Sequence, residues 1–292
     1  MNKLAIVIPF YKIDFFEETL KSVSLQTNKH FTLYIGNDAS SNDPKPMIEK
    51  YFESDSYYYF NYSENLGGKN LVLQWERIMK NISEEWFQIL GDDDMLPFNF
   101  VDKFYTSLHQ ANKEKINVIK FPLKIIDEEN NCYRKFSFRK SMIDRYDFLT
   151  ARSEHSILSS LSENIFRTQS FLKYRIRQFP LAWHSDDCMI FEYAENHKIL
   201  YIEETFVFVR MSKKNISSQT DNAATKAAAT NEFYVYIIAN YYKKFSSEQK
   251  IIILKNLKKH FYYTQHKLNI KTLLMIYSDN FINGMKLTKY LF

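Results

Sequence analysis

The chain has 292 residues, 45% hydrophobic and 25% charged, so it can bury a full core and falls in the ordinary globular class. No run of about 18 apolar residues occurs, which excludes a membrane-spanning helix, and the apolar stretch Leu4–Ile8 is too short for a signal peptide and is closed by Pro9. The net charge of +5 is unevenly spread: residues 243–292 carry ten lysines against Glu248 and Asp279, while the other 242 residues hold 29 basic and 32 acidic groups.

In chain order, Leu4–Ile8 reads as a buried parallel strand. Asp14 and Glu17 have the spacing of a capping box, and Phe16, Leu20 and Val23 then repeat at helical spacing. Phe31–Ile35 is a second strand, ending at Gly36-Asn37-Asp38. A helix over 45–53, a strand over Tyr57–Tyr62, a helix over Leu71–Met79 and a strand over Trp86–Leu90 follow. This alternation predicts a parallel α/β sheet.

The middle of the chain is less regular. A helix is expected over Phe100–Ala111, a strand over Val118–Ile126 with Pro122 inside it, and helices over Glu163–Arg177 and Cys188–Ala194. Ile199–Val209 reads as paired or edge strand, and 213–230 as a mobile polar loop running into a helix. Ser246 and Gln249 can cap a last helix, with Lys255, Lys258 and Lys259 on one face and Leu254, Leu257 and Phe261 on the other. Cys132 and Cys188 form no metal-ligand spacing, and reduced thiols in a cytoplasmic protein are expected.

Three consecutive aspartates, Asp92, Asp93 and Asp94, follow the fourth strand. Open α/β sheets bind ligands at the carboxyl ends of their strands. Adjacent like charges call for compensation, and a divalent cation carrying phosphate oxygens supplies it. An acidic surface turn is the plainer alternative. Asp92 and Asp94 could act as a pair, since alternate residues of an extended segment share a side.

Five fragments appear in order: Ile6-Val7-Ile8-Pro9-Phe10-Tyr11, Gln26-Thr27, Ile35-Gly36-Asn37-Asp38-Ala39-Ser40, Asn65-Leu66-Gly67-Gly68-Lys69-Asn70 and Leu90-Gly91-Asp92-Asp93-Asp94. Together they resemble the family 2 glycosyltransferases with the GT-A fold, over roughly residues 3–218. The resemblance implies a mostly parallel Rossmann-like sheet flanked by helices, with a nucleotide-sugar half (1–98), an acceptor half (99–218) and a helical basic extension (219–292).

The resemblance also implies roles for individual residues. Asp38 would accept the uracil imide N–H, with Pro9 and Tyr11 lining the nucleoside pocket and Lys69 near the donor. Asp92 would contact the donor, and Asp93 and Asp94 would hold Mg²⁺ or Mn²⁺. In Trp183-His184-Ser185-Asp186-Asp187, Asp187 matches the general base of inverting members, with Trp183, His184 and Asp186 on the acceptor side. Arg210 could touch the diphosphate, and Ser212 replaces the histidine usual after it. Residues 159–164 resemble the acceptor-side loop.

The expected activity is metal-dependent, inverting transfer from a UDP-sugar to a hydroxyl of a glycan, in particular a lipid-linked polysaccharide intermediate. A catalytically silent glycan-binding scaffold and a sugar-phosphate nucleotidyltransferase are the alternatives. The lysine-rich tail suggests an anionic membrane surface as partner, peripheral at the inner face of the cell membrane. Nucleic acid is not expected, because all ten basic residues of the tail are lysine and no recognition motif accompanies them.

Overall fold

The computed structural model describes residues 2–138, 140–195, 198–213, 215–264 and 270–279. Four strands, β1 (Leu4–Phe10), β2 (Phe31–Asp38), β3 (Tyr57–Tyr62) and β4 (Trp86–Ile89), alternate with α1 (Phe16–Ser24), α2 (Lys45–Glu49) and α3 (Leu71–Met79). They pair in parallel in the order β3-β2-β1-β4. The expected parallel half is therefore present. Both faces of β1 and β4 are buried, as their mainly apolar sequences require, with Gln88 of β4 buried among them.

Helix α1 starts without the expected capping box: its cap is Phe15, with no side-chain bond, and Glu17 bonds Tyr51 and Lys50 instead. A tertiary ion pair has outcompeted the local motif.

After α4 (Phe100–Lys113), the apolar run 118–126 breaks at Pro122. β5 (Val118–Lys120) stays in the large sheet and β6 (Leu123–Ile126) enters a small one. Pro122 has no N–H for a ladder, so the chain changes sheets there. β6 lies between the edge strand β7 (Cys132–Phe136), antiparallel to it, and β11 (Val207–Arg210), parallel to it.

β8 (Met142–Asp144) and α5 (Arg145–Ser153) follow; Asp144 caps α5 by accepting the Tyr146 N–H. The helix expected over 163–177 is overturned at its start. Asn164–Arg167 is a strand, β9, inserted antiparallel between β4 and β5, and only Thr168–Tyr174 is helical (α6). The large sheet needs a strand there, and Ile165 and Phe166 fill it fully buried. α7 (Ser185–Tyr193) then leads to β10 (Lys198–Tyr201), which closes the large sheet with β8 in the order β3-β2-β1-β4-β9-β5-β10-β8.

The carboxyl-terminal helices are α8 (Ala223–Tyr241), α9 (Ser247–Thr264) and α10 (Ile270–Asp279). The Ser246/Gln249 cap forms reciprocally, with N–H to side-chain distances of 3.0 and 3.2 Å. Ile253, Leu254 and Leu257 share one buried cluster with Tyr146 and Leu149 of α5, Cys188 and Phe191 of α7, and Phe233 and Ile237 of α8. The extension thus packs on the α5 and α7 side of the domain. The side chain of Phe261, expected on the apolar face of α9, lies outside the described residues.

Candidate active site

The carboxyl ends of β1, β2 and β4, the small sheet and the start of α7 surround one cavity of about 770 Å³. Pro9, Tyr11, Asp38, Asp92, Asp93, Asp94, Trp183, His184, Asp186 and Arg210 all line it. Far-separated acids therefore do converge. Lys69 is outside the lining; it pairs with Glu64 at 2.6 Å and is largely exposed. Asp187 is also outside it, only 1% exposed.

On the β2 side, Asp38 is almost fully buried. Its carboxylate accepts the N–H groups of Leu66 (2.8 Å) and Gly67 (2.7 Å) and pairs with Arg77 of α3. Burial raises its pKa against the pull of those donors. A Cβ on Gly67 would sit 2.5 Å from Asp38 Oδ2, so only glycine lets the loop close on the carboxylate. Arg77 stacks on Tyr62 at 3.7 Å and was not anticipated, because no motif marks it.

The aspartate trio divides by partner. Asp92 Oδ2 accepts the N–H groups of Tyr11 and Lys12, both at 2.8 Å. Burial, then the charge of Asp93, pushes Asp92 up to about 7. Asp94 is committed on both oxygens, to the Arg210 N–H (2.8 Å) and the Ser162 hydroxyl. Burial and the charge of Asp93 hold it well above the ordinary carboxylate range. Burial raises the pKa of Asp93, while the charges of Lys12 and Arg210 pull it down. No group of three metal-ligating side chains occurs among the described residues.

Arg210 is fully buried under this loop. Nε donates to the Asp93 carbonyl (3.0 Å), Nη1 to the Asp127 and Glu128 carbonyls, and Nη2 to Glu18 and Asn130 (both 2.8 Å). The guanidinium has five N–H bonds, and each has a protein acceptor. The expected contact of Arg210 with a diphosphate has no donor left to make it; the side chain instead holds the backbone of the trio in place.

At the start of α7 the two acids part company. Asp187 turns inward, accepting from Arg152 Nε at 3.0 Å and meeting His184 Nδ1 at 2.7 Å. Burial opposes its charge, yet Arg152 and His184 keep it well below the usual carboxylate range. Asp186 turns to the cavity, and burial, then the charge of Asp187, pushes it up to about 7. His184, in left-handed backbone (φ 68°), also contacts Thr230 Oγ1 of α8 at 3.0 Å and stacks on Phe233.

The loop expected on the acceptor side is pinned from below. Glu163, fully buried, pairs with Lys120 and accepts from the Ser160 N–H at 2.8 Å; Ser162 Oγ accepts the Gly91 N–H at 3.0 Å. Arg152 and Lys120 carry no signal in the sequence, because their partners are distant in the chain.

The model of the family described as Glycosyl transferase family 2 matches residues 5–170. A curated relative from Campylobacter jejuni, "GalNAc(5)-diNAcBac-PP-undecaprenol beta-1,3-glucosyltransferase", is 23% identical over 247 residues, covering 81% of this chain and 72% of the relative. Among solved structures, S. aureus TarS 1-349 in complex with UDP-GlcNAc superposes with a TM-score of 0.69 at 15% identity, over 99% of this chain and 84% of that one. A second crystal structure of S. aureus TarS 1-349 gives 0.65 at 15% identity, over 99% and 83%. These structures share the mixed α/β architecture with its large, mostly parallel sheet. With more than half of its length matched by the family model, this chain belongs to glycosyl transferase family 2 and is a glycosyltransferase.

Proposed function

We propose that this glycosyltransferase moves a sugar, with inversion, from a UDP-sugar to a hydroxyl of a lipid-linked glycan. The observation that carries the reading is the convergence of Asp38, Asp92–Asp94 and Asp186 on one cavity. A solved structure of the same fold holds UDP-GlcNAc, and a relative is named for a diphospho-undecaprenol glycan. Both support the substrate class.

The roles follow from the geometry. Asp38, fixed by Leu66, Gly67 and Arg77, lines the cavity at the end of β2, where the remaining lone pairs of its carboxylate would accept a ring N–H such as that of uracil. The donor set fits a divalent cation that brings phosphate oxygens as its remaining ligands, which is how Mg²⁺ is usually held. Asp93, with the free oxygen of Asp92, would hold it; Asp94 is spent on Arg210 and Ser162. When bound, such a cation neutralises charge on the departing diphosphate.

Asp186 is the base in this reading. It faces the cavity, and its pKa of about 7 suits proton transfer near neutrality. It takes the acceptor hydroxyl proton as that oxygen bonds to the anomeric carbon, while the bond from that carbon to the diphosphate oxygen breaks and the diphosphate leaves with the electron pair. Asp187, assigned the base by resemblance, instead holds Arg152 and His184 behind it. A panel of nucleotide-sugars with Mg²⁺, Mn²⁺ or chelator, read by donor hydrolysis and transfer, tests the proposal. Preference for a non-uridine donor, or full activity in chelator, would refute the corresponding part.

Helix α9 buries its apolar side against α5 and α8 and exposes Lys255, Lys258 and Lys259. No helix among the described residues is long and apolar enough to cross a membrane. Any contact of α9 with an anionic bilayer is therefore electrostatic, without insertion of its buried face.

A further inference from the structure

Lys120 of β5 and Glu163 form an ion pair sealed from solvent, 1% and 0% exposed. Such a pair is a poor source of stability: stripping water from two charges offsets most of their attraction, and apolar residues of like volume serve a core as well. Ile119 and Phe121, on either side of Lys120, are themselves apolar and fully buried. What the two charges do, and apolar groups could not, is hold the serine loop 159–162. The lysine ammonium has three N–H bonds. They go to Glu163, to Ser159 Oγ at 2.9 Å and to Asn164 Oδ1 at 3.1 Å. Glu163 accepts from the Ser160 N–H at 2.8 Å and from the hydroxyls of Ser159 and Ser160. Asn164 Nδ2 donates to the Ser160 carbonyl at 2.6 Å.

The far end of the loop is fastened to the acids. Ser162 Oγ donates to Asp94 and accepts the Gly91 N–H at 3.0 Å, so one hydroxyl grips the acidic loop on either side of Asp92 and Asp93. Gln88 Nε2 of β4 donates to the Ser162 carbonyl. Ser159, Ser160, Leu161 and Ser162 all line the cavity, whereas Lys120 and Glu163 lie behind the lining. We propose that Lys120 and Glu163 are positioning residues, which through this loop hold one cavity wall at a fixed spacing from the acids that take the donor diphosphate. The inference rests on the glycosyl-transfer reading above for what the wall and the acids bind. The pair touches no substrate and acts only through the serines.

The test changes Lys120→Met and Glu163→Leu together, so that neither charge is left buried alone. Cooperative unfolding in urea confirms that the variant folds. Amide hydrogen exchange over residues 158–163 should quicken by about 10-fold, because the Ser160 N–H loses its acceptor. Calorimetry with UDP, in Mg²⁺ and in chelator, reads the other end. The tightening of UDP binding by Mg²⁺ should shrink by about 10-fold, while the affinity for UDP in chelator holds. Ser162→Ala should reproduce the loss of Mg²⁺ tightening and leave the Ser160 amide protected; it carries the test alone where the double variant does not fold. Unchanged exchange in the double variant would show that the pair does not hold the loop. Full Mg²⁺ tightening in Ser162→Ala, or in a double variant with a loosened loop, would break the link to the acids. An equal fall of UDP affinity in Mg²⁺ and in chelator would mark general damage. Each of these results overturns the proposal. Wild-type protein that binds no UDP would instead strike the parent reading, and the exchange over 158–163 would then decide the bracing role alone.

Discussion

Replacing Asp186 by Asn removes a proton acceptor while keeping the shape of the side chain. Loss of a general base lowers turnover by about 10²–10⁴-fold, equivalent to about 3–5.5 kcal/mol of barrier at 1.36 kcal/mol per tenfold. The wild-type rate should rise with pH through about 7, where Asp186 gives up its proton. Asp92 also titrates near 7, so UDP affinity is measured across the same range: protonation of Asp92 would move it, and protonation of Asp186 would not. Asp187→Asn should behave differently. It breaks a bond to Arg152 and should lower stability in urea unfolding by about 1.5–3 kcal/mol, with the smaller loss in turnover. The pH dependence of stability carries opposite signs for the pair. Asp187, held low, stabilises the fold above the ordinary carboxylate value, and this is lost as pH falls through its lowered pKa. Asp186, held high, favours the fold at low pH, and this is lost as pH rises through about 7. If Asp186→Asn turns over normally while Asp187→Asn is dead, the base is Asp187 and the reasoning from geometry fails.

Asp93→Asn should abolish the tightening of UDP binding by Mg²⁺ or Mn²⁺ in calorimetry; an unchanged metal response would place the cation elsewhere. Arg210→Met should cost about 3–5 kcal/mol in chemical denaturation, because Glu18 and several backbone carbonyls lose their donor. A near-neutral result would refute its bracing role. Changing Lys255, Lys258 and Lys259 together to Glu should weaken binding to anionic vesicles by about 1 kcal/mol per lysine, more at low salt. Equal partitioning of wild type and variant would dismiss the membrane contact.

The first hundred residues were legible because each parallel strand there is an apolar run closed by a turn, and the site acids stand at those closures. Beyond them, local signals misled. Asn164–Arg167 runs directly into a helix, so its strand character depends on the gap between β4 and β5. Strand β7 carries no strand signal: Cys132, Tyr133, Arg134 and Lys135 show no apolar alternation, and all four are exposed at the edge. Asp186 and Asp187 are neighbours in sequence but about 100° apart around a helix, so one faces the cavity and the other the interior. Composition cannot distinguish them. Only the partner Arg152, 35 residues away, does.

The link from Asp187 through His184 to Thr230 gives α8 a direct grip on the reaction centre. Anyone trimming this enzyme to a minimal catalytic module, or swapping its carboxyl-terminal segment for that of a relative, would be editing the floor beneath Asp186, its proposed proton acceptor. Chimeras joined after Tyr241 keep that support; those joined at residue 218 discard it.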